Sequence, residues 1–208
     1  MADAGILAEG EHLELIDGRI YSRYEGKPRL FNVDEYYAMA EAGILAPDER
    51  VELIDGEIIP MSPNGDRHAY SVDELVELFL TTLRGRARVR CQNPVRLDRR
   101  TEVQPDIAIL KPRNDSYLSG HPSPDDVLLI IEVYDTTLDS DRDLKLPMYA
   151  ATDIPEIWLA NIPERLVEVY TDPDDGEYRS LRIFRHGESV SPFAFPDISL
   201  PVRRIVPA

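Results

Sequence analysis

The run Val127-Leu128-Leu129-Ile130-Ile131-Glu132-Val133 constrains this chain more than any other stretch. Its residues are aliphatic apart from one acid. It therefore reads as a strand covered on both faces, the kind found inside a sheet layered with helices. Glu132 is costly to desolvate there unless something binds it. A second acid has the same setting: Asp106 in Gln104-Pro105-Asp106-Ile107-Ala108-Ile109. Strands predicted over Val103–Leu110 and Val127–Val133 place two such acids on neighbouring strands. Mg²⁺ takes one or two carboxylates together with phosphate oxygens, so the pair suits a hard cation. Lys145 follows on a helix predicted over Asp139–Ala151, in which Pro147 either sits early or kinks the axis. A lysine there would orient an attacking water or offset charge at a phosphoryl transition state. The grouping points to phosphodiester cleavage with Mg²⁺ or Mn²⁺ as cofactor.

The rest of the pattern is mixed α/β. Asn32-Val33-Asp34-Glu35 reads as a capping box opening a helix that ends at Gly43. Asp66–Leu83 is the strongest helix, with Val72, Leu75, Val76, Phe79, Leu80 and Leu83 at helical spacing. Further strands are expected over Arg86–Cys91, Val95–Leu97 and Ile157–Ala160. A C-terminal hairpin is expected from Leu166–Tyr170 and Tyr178–Phe184 across Asp172–Gly176. At the N-terminus, Ala4–Tyr21 matches Ala42–Ile59 without gaps, with 12 of 18 positions identical. Both copies end an apolar stretch with Asp-Gly, a type I′ hairpin signal. The first copy reads as an added strand or hairpin pairing with an edge of the same or a neighbouring subunit, on an extension over 1–30 ahead of a domain over 31–208.

Composition sets bounds. With 208 residues, 43% of them hydrophobic, the chain suits one compact domain. No stretch approaches a membrane span, Met1–His12 lacks the pattern of a signal peptide, and the lone Cys91 fits a reducing cytoplasm. The histidines, His12, His68, His121 and His186, show no zinc spacing. The net charge of −16 argues against a generic nucleic-acid coat. Yet seven arginines, from Arg84 to Arg100, fall within 17 residues. In a strand Arg86, Arg88 and Arg90 would share one face, either tracking DNA phosphates or guarding a sheet edge with charge.

Pro105-Asp106, Glu132 and a downstream lysine resemble the PD-(D/E)XK nuclease superfamily. More narrowly, Val51–Glu57, Met61-Ser62-Pro63, Gln92-Asn93-Pro94, Gln104-Pro105-Asp106, Glu132-Val133, Lys145–Tyr149 and Ile154–Trp158 resemble the bacterial Uma-two family, described as candidate restriction endonucleases. The similarity covers about Phe31 to Tyr170. It implies a restriction endonuclease-like core, a mixed central sheet flanked by helices, and metal-dependent hydrolysis of DNA. The superfamily's usual lysine position, two residues after the second acid, is Tyr134 here, so the resemblance moves that role to Lys145. It also implies that Glu52 lies beside the metal pocket. Asp141, four residues before Lys145, either steadies its ammonium or forms an ordinary helix ion pair. His68 is a general acid, a phosphate contact or a surface residue, and Gln104 a candidate phosphate contact. His121, His186 and Trp158 read as structural or solvated. Cleavage of both DNA strands would call for a homodimer. Two alternatives stand beside the endonuclease: a non-catalytic interaction protein on a nuclease scaffold, and a phosphodiesterase acting on small nucleotides.

Overall fold

The structure, a computed structural model, describes residues 1, 5–6, 11–16, 19–23, 26–135 and 138–207; for residues 15, 19 and 138–143 it describes the backbone alone. In chain order the elements are β1 (Leu13–Ile16), β2 (Arg19–Ser22), α1 (Val33–Glu41), β3 (Val51–Ile54), β4 (Glu57–Pro60), α2 (Asp66–Leu83), β5 (Arg88–Cys91), β6 (Val95–Arg96), β7 (Glu102–Val103), β8 (Ile107–Leu110), β9 (Val127–Tyr134), α3 (Leu138–Ala151), β10 (Glu156–Asn161), β11 (Leu166–Asp174), β12 (Glu177–Arg185), β13 (Ser189–Val190), β14 (Leu200–Pro201) and α4 (Val202–Ile205). They fall into two compact units. One comprises Met1–Ser62 and Arg96–Val103, the other Pro63–Val95 and Gln104–Ala208.

In the first unit the duplicated segment forms the same element twice. An offset of 38 residues carries β1 onto β3 and β2 onto β4. In the second copy Asp55 and Gly56 have φ of 49° and 83°, both left-handed as a type I′ turn requires. Gly56 is further fixed by crowding, since a Cβ there would meet Leu30 Cβ at 2.8 Å. The corresponding Asp17-Gly18 lies outside the described residues. The copies differ in company. β3 continues through β7 in a four-stranded sheet of order β4-β3-β7-β6, whereas β1 and β2 form a two-stranded sheet of their own. Within the chain, the described residues of the first copy pair with no other sheet; beyond their own hairpin they make one isolated bridge, Tyr21 to Pro28. α1 opens with the capping box, Asn32 and Glu35 each bonding the other's backbone N–H, and its C-cap precedes Gly43 at φ 67°. Phe31, Val33, Met39 and Leu53 form the small core.

The second unit is built on a six-stranded sheet of order β12-β11-β10-β9-β8-β5. Only β9–β10 is parallel; the other pairings are antiparallel, so the sheet is mixed. α2 lays Val72, Leu75, Phe79 and Leu83 against Ile107, Leu129, Ile131, Val133 and Trp158. Each such side chain, once buried, contributes roughly 1.5–3 kcal/mol. Alternation then points Ile130 and Glu132 of β9 to the opposite face, where α3 packs.

Two sequence expectations need correction here. The strand expected over Val103–Leu110 is two strands in two sheets, β7 and β8, separated by Gln104-Pro105-Asp106. Pro105 has no N–H to give a ladder, so the chain leaves one sheet and enters the other at that point. The strand expected over Arg86–Cys91 begins only at Arg88. Arg84 and Gly85 are both left-handed, at φ 48° and 83°, and close α2. The Arg86 N–H then donates to Leu83 O. Arg86 pairs with Asp197 at 3.0 Å and its guanidinium lies 5.0 Å from the Phe195 ring centroid. It therefore shares no strand face with Arg88 and Arg90.

Candidate active site

The antiparallel β8–β9 register pairs Ile107 with Ile131, so Asp106, one step before β8, stands opposite Glu132. The backbone locks this junction. The Val133 N–H donates to Asp106 Oδ2 at 2.9 Å, and the Asp106 N–H donates to Glu132 Oε2 at 3.3 Å. Both carboxylates are nearly sequestered, 9% and 5% exposed. Burial at that level demands donors for each oxygen.

Two helices supply them. From the first turn of α2, His68 Nε2 lies 2.9 Å from Asp106 Oδ2. From α3, Lys145 Nζ lies 3.4 Å from Glu132 Oε1, and the Tyr149 hydroxyl donates to the same oxygen at 2.7 Å. Lys145 and Tyr149 are four residues apart and so share a helix face. The Gln92 amide donates to Asp106 Oδ1 at 3.2 Å, from a backbone whose φ is 49°. Beyond β9, Asp135 pairs with Arg67 at 3.3 Å.

Charge follows this geometry at His68. Burial alone would lower its pKa, but the Asp106 hydrogen bond and the charges of Asp106, Glu132 and Asp135 outweigh burial and raise it. Cys91 moves the other way in reactivity: burial, with Asp106 and Asp73 nearby, pushes its thiol up and keeps it protonated.

Asp106, Glu132, Lys145 and His68 are thus joined in one bonded cluster. Gln104 is half-buried two residues before Asp106. Glu52 belongs to the first unit, buried on β3; its charge adds to burial in raising the Tyr36 hydroxyl. The Asp141 side chain lies outside the described residues. Tyr134, in the position where the superfamily carries lysine, is buried. Arg88 is exposed on β5, an edge strand. Arg90 is half-buried and donates to Asn93 at 3.3 Å. The structure adds Tyr149 and Gln92, which the sequence presents only within family motifs and without a site role. The four-residue step from Lys145 is a usable signal for Tyr149; Gln92 has only its place in a turn.

Among the described residues no group of three or more His, Cys, Asp or Glu could hold a metal ion. Two adjacent hard-oxygen carboxylates fit a different case, a cation such as Mg²⁺ that fills its remaining positions with water and phosphate oxygens. Nothing in the donor set suits a soft or caged ion.

A mixed sheet flanked by helices, with two carboxylates joined across β8 and β9, defines an α/β protein of nuclease-like fold. The fold is similar to that of a solved structure, a putative nuclease belonging to DUF820 from Anabaena variabilis, at a TM-score of 0.65 and 17% identity, covering 84% of this chain and 97% of that one. The Uma2 family, described as "Putative restriction endonuclease", matches residues 33–203, and the chain belongs to it. No curated protein matches.

Proposed function

We propose that this chain is a metal-dependent endonuclease that hydrolyses DNA phosphodiester bonds at Asp106 and Glu132. The observation that carries the reading is the mutual lock of two buried carboxylates, with an ammonium 3.4 Å from one of them. Such a locked acid pair is a costly arrangement for stability alone. Asp106 and Glu132 would hold Mg²⁺ or Mn²⁺, which when bound supplies Lewis-acid neutralisation of the phosphate. Lys145 serves two ends. It compensates Glu132 in the resting protein, and its ammonium can hold an attacking water or the charge growing on the phosphoryl oxygens. Tyr149 fixes the Glu132 carboxylate in one orientation, as partners of ligating groups do. His68, with its raised pKa, can give a proton to the leaving oxygen or bond a phosphate oxygen. Membership of a family described as "Putative restriction endonuclease" supports DNA as the substrate class.

The test is cleavage or nicking of plasmid DNA with Mg²⁺ or Mn²⁺. Asp106→Ala and Glu132→Ala should each lose on the order of 10³-fold in rate while keeping the far-UV circular dichroism of the wild type. Full activity in both variants would refute the assignment. A wild type that neither cuts DNA nor gives heat with either cation would favour the non-catalytic reading, to which Tyr134 in the superfamily's lysine position lends its support.

A further inference from the structure

The outer edge of the six-stranded sheet carries a surface the site does not use. β12 is the last strand in the sheet order, so its side away from β11 offers backbone donors and acceptors to another strand, except at Arg185, whose N–H donates to the Glu188 carboxylate and whose C=O accepts from the Glu188 N–H. Leu181 and Ile183, two residues apart and therefore on one face, are 47% and 46% exposed. Ile183 stands opposite Glu168, Glu168 opposite Leu159, and Leu159 opposite Glu132. The exposed pair thus lies on the α3 side of the sheet, in the row that begins at a site carboxylate.

Edge strands often carry charge simply to stay single. Here the charges have an order. β12 reads Glu177-Tyr178-Arg179-Ser180-Leu181-Arg182-Ile183-Phe184-Arg185. A second β12, laid antiparallel with full overlap, has its two-fold axis at Leu181. Glu177 then meets Arg185 of the second copy at both ends, Tyr178 meets Phe184, Arg179 meets Ile183, and Ser180 meets Arg182. At directly opposed positions opposite charges face one another and no like charges do, which favours cross-strand pairing; the like charges, Arg179 with Arg185 and Arg182 with its counterpart, meet only diagonally. Within one chain Glu177 and Arg185 sit at opposite ends of the strand, roughly 27 Å apart, and cannot meet. The contact Glu177 makes in its own chain, 3.6 Å to Arg179, is solvent-exposed and holds it only weakly.

We propose that two copies of this chain associate through β12, joining their six-stranded sheets into one about a two-fold axis at Leu181. Such an interface is isologous, each copy giving and receiving the same contacts. Sedimentation equilibrium of the full chain tests it. The wild type should run at twice 23.6 kDa. Leu181→Lys sets two ammonium groups against each other on the axis and should dissociate the dimer. Glu177→Arg alone and Arg185→Glu alone should each weaken association about tenfold, and the two together should restore it, with thermal melting of the monomer unchanged throughout. A wild type still monomeric on the order of 100 µM, a dimer indifferent to Leu181→Lys, or single charge variants not rescued by the double would each overturn the proposal.

Discussion

Glu132 and Glu156 are buried acids on neighbouring strands of one sheet, 5% and 1% exposed, and they are held in opposite ways. Glu132 has an ammonium, a phenol and a backbone N–H, with a second carboxylate across the ladder. Glu156 takes the Trp158 indole N–H at 2.7 Å and the Phe193 backbone N–H at 2.7 Å, both neutral donors. Burial raises the Glu156 pKa against the pull of those two bonds. The lesson is that burying an acid does not make it a site. Glu156 ties a strand to the C-terminal segment, whereas Glu132 sits in a charged cluster with Asp106, Lys145 and His68.

The largest effect should be the loss of DNA cleavage per folded molecule in Glu132→Ala. Glu156→Ala should do the reverse. It strands two buried N–H donors and should cost about 2 kcal/mol in urea unfolding, with DNA cleavage per folded molecule unchanged. If Glu156→Ala abolished cleavage at full stability, the division between the two acids would fail.

The smallest effect is a pH slope. Glu156 has a raised pKa in the folded chain, starting from an ordinary value of 4.5. Between that value and its raised one, the folded state holds a proton that the unfolded state has released. Stability from this group is therefore fully present below pH 4.5 and falls as pH rises through the interval. Glu156→Gln should remove that slope, so the wild-type and variant stability curves should converge toward acid pH. Parallel curves across the interval would show that Glu156 does not titrate this way.

The sequence spoke clearly where local rules governed. The 3.6-residue pattern of Val72, Leu75, Phe79 and Leu83 set α2 at Asp66–Leu83 as found, and Asp55-Gly56 set its hairpin. It failed where tertiary context took over. Pro105-Asp106-Ile107 and Pro155-Glu156-Ile157 read alike, a proline, an acid and an apolar run. Only the register tells them apart: Asp106 faces an acid across an antiparallel ladder, while Glu156 starts a strand parallel to β9. Likewise Arg86 looked like part of a basic strand face, but helix closure at Arg84-Gly85 turns it toward Asp197. Gln92-Asn93-Pro94 marks a turn, but nothing in it tells that the Gln92 amide reaches Asp106.

Calorimetric titration with Mn²⁺ needs neither a substrate nor a known specificity. The wild type should give a saturable heat that Asp106→Asn and Glu132→Gln each abolish, while Glu156→Gln leaves it intact. Binding that persists undiminished in both site variants would contradict a metal site at Asp106 and Glu132.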